Sequence, residues 1–132
     1  MILNSFINEK ITVITHSTPH WLFRLEKGKL LIGCPWRILE GGKKFLASGD
    51  EGQIYGLTEP IDLKKQVMLL LNGKKITKFE IEEKTGDISI EFEQDIILQT
   101  YGFDSYESWE ITAPDGSYYV FNDRINEWAP QC

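Results

Sequence analysis

Cysteine and histidine are scarce in this chain, basic charge is in deficit and long apolar runs are missing; each shortage closes off a class of function. The two cysteines, Cys34 and Cys132, stand 98 positions apart in 132 residues. That spacing supplies neither a disulfide framework nor the paired ligands of a zinc site, and a reduced, cytoplasmic protein is the expectation. The longest purely apolar run, Val67 to Leu71, is far too short to span a bilayer, so no membrane partner is expected. The N-terminus, Met1 to Phe6, lacks the basic start and sustained apolar stretch of a signal peptide. Lys and Arg number 14 against 20 Asp and Glu, a formal net charge of -6. A phosphate backbone is gripped by clustered cations, so this balance argues against nucleic acid and favours a basic protein partner through electrostatic steering.

What is present is ordinary globular material, 42% hydrophobic and 26% charged, enough to bury a core in one domain. Strand signals dominate. Lys10 to Thr15 is a β-branched run, and Trp21, Phe23 and Leu25 alternate after a Ser17-Thr18-Pro19 turn. Further strands are expected around Leu30 to Ile32, Trp36 to Leu39 and Phe45 to Ala47, separated by turns at Lys27-Gly28 and Gly41-Gly42. Gly49-Asp50-Glu51-Gly52 has neither the alternating oxygens nor the closing Glu of a calcium loop and reads as a hairpin turn. The middle changes period. Leu63, Val67, Leu70 and Leu71 fall on one helical face, which predicts a helix over 59–71 with Thr58 as its cap and Asn72-Gly73 as its stop.

After the helix, register itself is readable. A four-residue loop Glu83-Lys84-Thr85-Gly86, with Gly86 in the left-handed region, sets Ile81 against Ile88 and Phe79 against Ile90. The outer face then pairs Glu80 with Ser89 and Lys78 with Glu91, and a slip of one residue inverts the pattern. A later hairpin turns at Ala113-Pro114-Asp115-Gly116, placing Trp109, Ile111, Tyr119 and Phe121 inside.

The strands repeat. Lys10-Ile11-Thr12 returns as Lys75-Ile76-Thr77, and Trp21, Phe23, Leu25 match Ile88, Ile90, Phe92 in spacing. Leu30-Leu31-Ile32 matches Ile96-Ile97-Leu98, Trp36-Arg37-Ile38 echoes Trp109-Glu110-Ile111, and Gly52-Gln53-Ile54-Tyr55 echoes Gly116-Ser117-Tyr118-Tyr119. The expected fold is mostly β (α+β) and one domain over 1–132. A first β-meander covers 9–56, a short central helix 59–71, a second meander 74–122, and a C-terminal segment 123–132. The two related antiparallel meanders would form a sandwich or a partly open barrel.

No catalytic, metal-binding or cofactor pattern stands out. His16 and His20 flank a turn without further ligands at coordinating spacing, and they read as solvent-exposed turn histidines. Cys34 reads as a buried structural thiol, since nucleophilic work needs a base that only a spatial approach of His16 or His20 could supply. Glu107 and Glu110 are the right types for paired-carboxylate chemistry, but a chain this small shows no cleft for it. Glu80, Glu82, Glu91 and Glu93 share the outer face of one strand pair, an anionic surface suited to a partner's Lys and Arg; a solvated face that resists edge pairing is the plainer alternative. Asp104, Tyr106 and Glu107 form a second patch that mixes carboxylates with an aromatic anchor.

The stretch Tyr106-Glu107-Ser108-Trp109, then Pro114-Asp115-Gly116, then Trp128 resembles a family of small bacterial proteins of unknown function that carry a Tyr-Glu-x-Trp, Pro-Asp-Gly, terminal-Trp pattern. Asn122-Asp123-Arg124-Ile125 departs from the Gly-rich turn usual there. The resemblance covers the C-terminal half and carries no catalytic residues. It implies an association with immunity proteins of bacterial polymorphic toxin systems. The expectation is therefore a non-enzymatic binding module, an immunity protein occluding the active site of a basic toxin domain such as a nuclease, with Glu80, Glu82, Glu91, Glu93, Asp104, Tyr106 and Glu107 facing the partner. A structural or adaptor domain that homodimerises is the alternative. A small enzyme or ligand carrier would require a polar cavity near His16, His20 or Cys34.

Overall fold

The computed structural model describes residues 1–101, 107–122 and 127–131. The first half forms β1 (Ile11–Ser17), β2 (His20–Leu25), β3 (Gly28–Ile32), β4 (Trp36–Glu40) and β5 (Lys43–Ala47). One helix, α1 (Leu63–Leu71), follows, and then β6 (Ile76–Ile81), β7 (Ile88–Phe92), β8 (Ile96–Thr100), β9 (Glu107–Thr112), β10 (Tyr118–Asn122) and β11 (Glu127–Gln131). They build two antiparallel sheets, ordered β1-β2-β3-β9-β10-β11 and β5-β4-β8-β7-β6. The fold is mostly β, a sandwich rather than a closed barrel. Among the described residues no helix is long and apolar enough to cross a membrane.

The two halves share one pairing scheme but exchange strands. Each half contributes its first three strands to one sheet and its fourth and fifth to the other, so β3 pairs with β9 and β8 with β4. The correspondence extends to single residues. Both Lys-Ile-Thr copies place their threonine at a β-bulge, the register shifting between Ile11 and Val13 in one hairpin and between Ile76 and Lys78 in the other. Thr12 donates its hydroxyl to the Arg24 carbonyl and Thr77 to the Glu91 carbonyl, each 3.2 Å away. The extra residue of a bulge is left out of the ladder, and here its hydroxyl bonds a carbonyl of the opposing strand instead. Trp36 and Trp109 are equivalent as well, facing Thr100 and Ile32 across the seams between halves.

Two of the matches read from sequence shift. Phe23 faces Leu30 while Ile90 faces Leu98, so Leu30 corresponds to Leu98 rather than Ile96. The cause is turn length, Glu26-Lys27 in one hairpin against Glu93 to Asp95 in the other. Tyr119 faces Ile111 as Leu46 faces Ile38, so Tyr119 corresponds to Leu46 and not to Tyr55, which lies beyond β5 in a loop. Ser48–Asp50 is a 3-10 turn leading into that loop rather than a hairpin turn. Within the expected C-terminal segment 123–132, to which no strand was assigned, residues 127–131 add a strand beside β10.

The two hairpins whose register was argued from sequence form as expected. Ile81 faces Ile88, Phe79 faces Ile90, and Gly86 sits at φ 77° while its N–H bonds the Glu82 carbonyl. At the later turn the Ser117 N–H donates to Asp115 Oδ1 at 2.9 Å, and this bond holds the exposed carboxyl below its ordinary range. The helix is shorter at its start than expected. Asp62, not Thr58, caps it by accepting from the Lys65 N–H at 3.3 Å. Residues 52–61 close on themselves through Gly52 N–H to Ile61 O and Ile61 N–H to Gln53 O, both 2.9 Å, which holds Ile61 out of the helix. Leu63, Val67 and Leu71 are buried and α1 packs on β1. One apolar cluster spans both sheets, with Phe23, Ile38, Phe79, Leu98 and Ile111 among its fully covered members.

Candidate functional site

Two places gather polar chemistry. The first lies on the outer face of the second sheet. Its rows run across strands that are distant in sequence: Glu80 beside Ser89, Ser89 beside Gln99, Gln99 beside Arg37. Arg37 Nε donates to Gln99 Oε1 at 3.1 Å, and its guanidinium lies 5.6 Å from the Tyr101 ring centroid. A groove of about 260 Å³ is lined here by Glu80, Glu82, Asp87, Arg37, Gln99 and Tyr101, with Tyr101 40% exposed.

Of the four expected glutamates, Glu80 and Glu82 border this groove, but the four do not form one patch. Lys78 Nζ lies 3.8 Å from both Glu80 and Glu91 and divides them. Glu93 is at the far end of the hairpin, where its Oε1 accepts from the Lys75 N–H at 2.7 Å. Glu82 Oε1 accepts from the Lys84 N–H at 3.1 Å. Charges engaged with local backbone and with one another present less free field than their number suggests. Asp104 and Tyr106 lie outside the described residues; Glu107 opens β9 opposite Asn122, and its side chain is not described. Arg37, Gln99, Tyr101 and Asp87 were not expected. Their juxtaposition requires the β4–β8 pairing, for which local sequence carries no signal.

The second place is a cavity of about 460 Å³ walled by the β1–β2 turn, the β3–β4 connection and the 3-10 turn after β5. His16, Cys34, Ser48 and Glu51 line it. Against the sequence expectation, His16 is not a solvent-exposed turn residue. Its ring stacks on Trp21 at 3.8 Å, its Nδ1 lies 3.7 Å from Glu51 Oε2, and its side chain is 18% exposed. Glu51 is held from its other oxygen by the first amide of α1, Leu63 N–H to Oε1 at 3.2 Å. A helix N-terminus is a favourable setting for a carboxylate. His20 is exposed as expected, and Cys34 is half-buried rather than buried. The recess beside His16 and Cys34 is open and mixed in character, with Pro19, Trp21 and Pro35 lining it alongside Thr18, Ser48 and Glu51. Among the described residues no group of three or more His, Cys, Asp or Glu side chains could hold a metal ion. Comparisons with protein families, with curated proteins and with solved structures found no match.

Proposed function

We propose that this chain is a protein-binding module, an immunity protein that neutralises a basic toxin domain in the cytoplasm by covering its active site. The observation that carries the reading is the groove on the second sheet. Glu80, Glu82 and Asp87 border it beside the half-exposed ring of Tyr101. Arg37 already lies over one side of the Tyr101 ring, and the carboxylates beside it suit a partner's Lys or Arg, whose charge they pair while its aliphatic stem rests on the exposed part of the ring. The net charge of -6 steers such a partner from a distance. Co-expression tests it: the chain should protect cells from, and co-purify with, the product of the neighbouring gene. Glu80→Lys with Glu82→Lys should weaken that complex about tenfold or more, because like charges meet where opposite ones did. A neighbour with no toxin character, or a complex indifferent to the double reversal, overturns the proposal.

The alternative of a self-associating structural domain rests on β5. Its outer edge pairs with no strand among the described residues, and Phe45 on it is 50% exposed. Lys43, Lys44 and the bulge after Ile38 work against edge pairing. A monomer by light scattering at high concentration would count decisively against this reading.

A further inference from the structure

The outer faces of the two sheets align position by position, and they carry different chemistry. Across the second sheet one row reads Glu80, Ser89, Gln99, Arg37, and the next reads Lys78, Glu91, Ile97, Leu39. The equivalent rows across the first sheet read Thr15, Leu22, Leu31, Glu110 and Val13, Arg24, Lys29, Thr112. Two adjacent leucines thus stand where the other sheet has serine and glutamine, and an arginine stands where it has Glu91. On the second sheet the charge of Glu91 is answered by Lys78 at 3.8 Å. On the first, Arg24 faces Lys29 directly and both are exposed. Neither takes part in an ion pair among the described residues. Like charges set opposite each other on a strand pair destabilise it. The one carboxylate in these rows, Glu110, faces Leu31 rather than Lys29 and accepts from the Tyr118 hydroxyl. A chain with a net charge of -6 therefore keeps two unanswered cations side by side, next to a pair of leucines.

We propose that this face docks an acidic, extended segment of a second protein, with a carboxylate over Arg24 and Lys29 and an aliphatic side chain over Leu22 and Leu31. Same-side residues of an extended chain lie about 6.5–7 Å apart, which is also the separation of the two rows along β2. A segment running along β2 satisfies both rows with an acid and an aliphatic residue separated by one other, whose side chain turns to solvent. The carboxylate supplies the opposite charge that the Arg24–Lys29 pair lacks. Leu22 and Leu31 are half-buried, and with Lys29 and Tyr118 they line a groove of about 300 Å³ that receives the aliphatic group. Glu110 borders the same groove and repels a second acid, which confines the carboxylate to the Arg24–Lys29 row. The face belongs to the first sheet and the Glu80 groove to the second, so an acidic and a basic partner do not compete for one surface.

The test is an NMR titration of the full chain, methyl-labelled at leucine, with the capped peptide Ser-Glu-Ser-Leu-Ser. The comparison peptides are Ser-Glu-Leu-Ser-Ser, which turns acid and leucine to opposite sides, and Ser-Lys-Ser-Leu-Ser. The first peptide should shift the Leu22 and Leu31 methyl groups saturably while Leu39, on the outside of the second sheet, stays in place. Both comparison peptides should bind there about fivefold more weakly or worse. Arg24→Gln with Lys29→Gln removes the cations, and Leu31→Gln installs the residue type of its counterpart Gln99. Both variants should keep a folded amide spectrum and lose about fivefold or more in affinity, and raised salt should weaken the unaltered chain's complex. The proposal is overturned by absence of saturation with the first peptide, by equal binding of either comparison peptide, or by unaltered binding in either folded variant. Sedimentation with phosphatidylserine vesicles that is lost with Arg24 and Lys29 would assign the face to a membrane and overturn it as well.

Discussion

The two buried tryptophans occupy equivalent positions and live in different circumstances. Trp109 sits against Ile32 with its indole N–H bonded to Gly86, whereas Trp36 sits against Thr100 with its indole N–H unpaired among the described residues. Their backbones are held in the same register, so the difference comes from what surrounds each ring. Where the second half spends four residues on a loop that reaches its tryptophan, the first uses two, and a histidine–glutamate pair lies beside that shorter turn. A repeated scaffold exposes function by subtraction. Positions that agree between the copies report the demands of the sheet, and positions that disagree report something else.

The comparison can be broken most forcefully at its most symmetric point. Ile38 and Ile111 are equivalent and both 0% exposed. Ile38→Ala and Ile111→Ala should each cost about 3 kcal/mol in chemical denaturation, and by nearly equal amounts. A gap of more than about 2 kcal/mol would mean that the shared register does not carry shared packing. The asymmetric point predicts a smaller effect. Trp109→Phe and Trp36→Phe remove the same ring atoms, but only the first leaves the buried Gly86 carbonyl without its indole donor. Trp109→Phe should therefore be the more destabilising by about 1–2 kcal/mol, and equal costs would empty the contrast of energetic meaning. The smallest effect belongs to the bulges. Thr12→Val and Thr77→Val each remove an exposed hydroxyl bond and should each cost about 0.5 kcal/mol. Unequal losses in the same denaturation assay would show that one bulge is held by its surroundings rather than by its hydroxyl.

Local information made much of this fold legible. Alternating Phe79, Ile81, Ile88, Ile90 and Phe92, with a glycine able to take positive φ, specified one hairpin down to its register, because any slip inverts the buried face. Pro114-Asp115-Gly116 did the same for the second turn. The Lys-Ile-Thr and Trp-x-Ile matches identified the repeat through short strings that keep their place in the structure. What stayed hidden was non-local. The exchange of fourth and fifth strands between sheets leaves no local periodicity, so Arg37, Gln99 and Tyr101 could not be gathered beside Glu80 from sequence. Thr58 was expected as the cap because Glu59, Pro60 and Asp62 suit a first helical turn, but the bonds closing 52–61 keep those residues out of the helix and leave Asp62 to cap it. His16 looked like a turn residue because its partner Glu51 lies beyond four further strands, held by a helix amide.

The exchanged strands also bear on how the molecule holds together. Each sheet is completed at the seams β3–β9 and β4–β8, where the partner strand always comes from the other half. In this sense the chain is a swapped dimer written as one polypeptide, and the stretch 48–75 between β5 and β6 is its tether. That tether fixes the effective concentration at which the halves meet. Were it severed, stability would cease to be a property of the chain alone and would rise and fall with the concentration of the fragments.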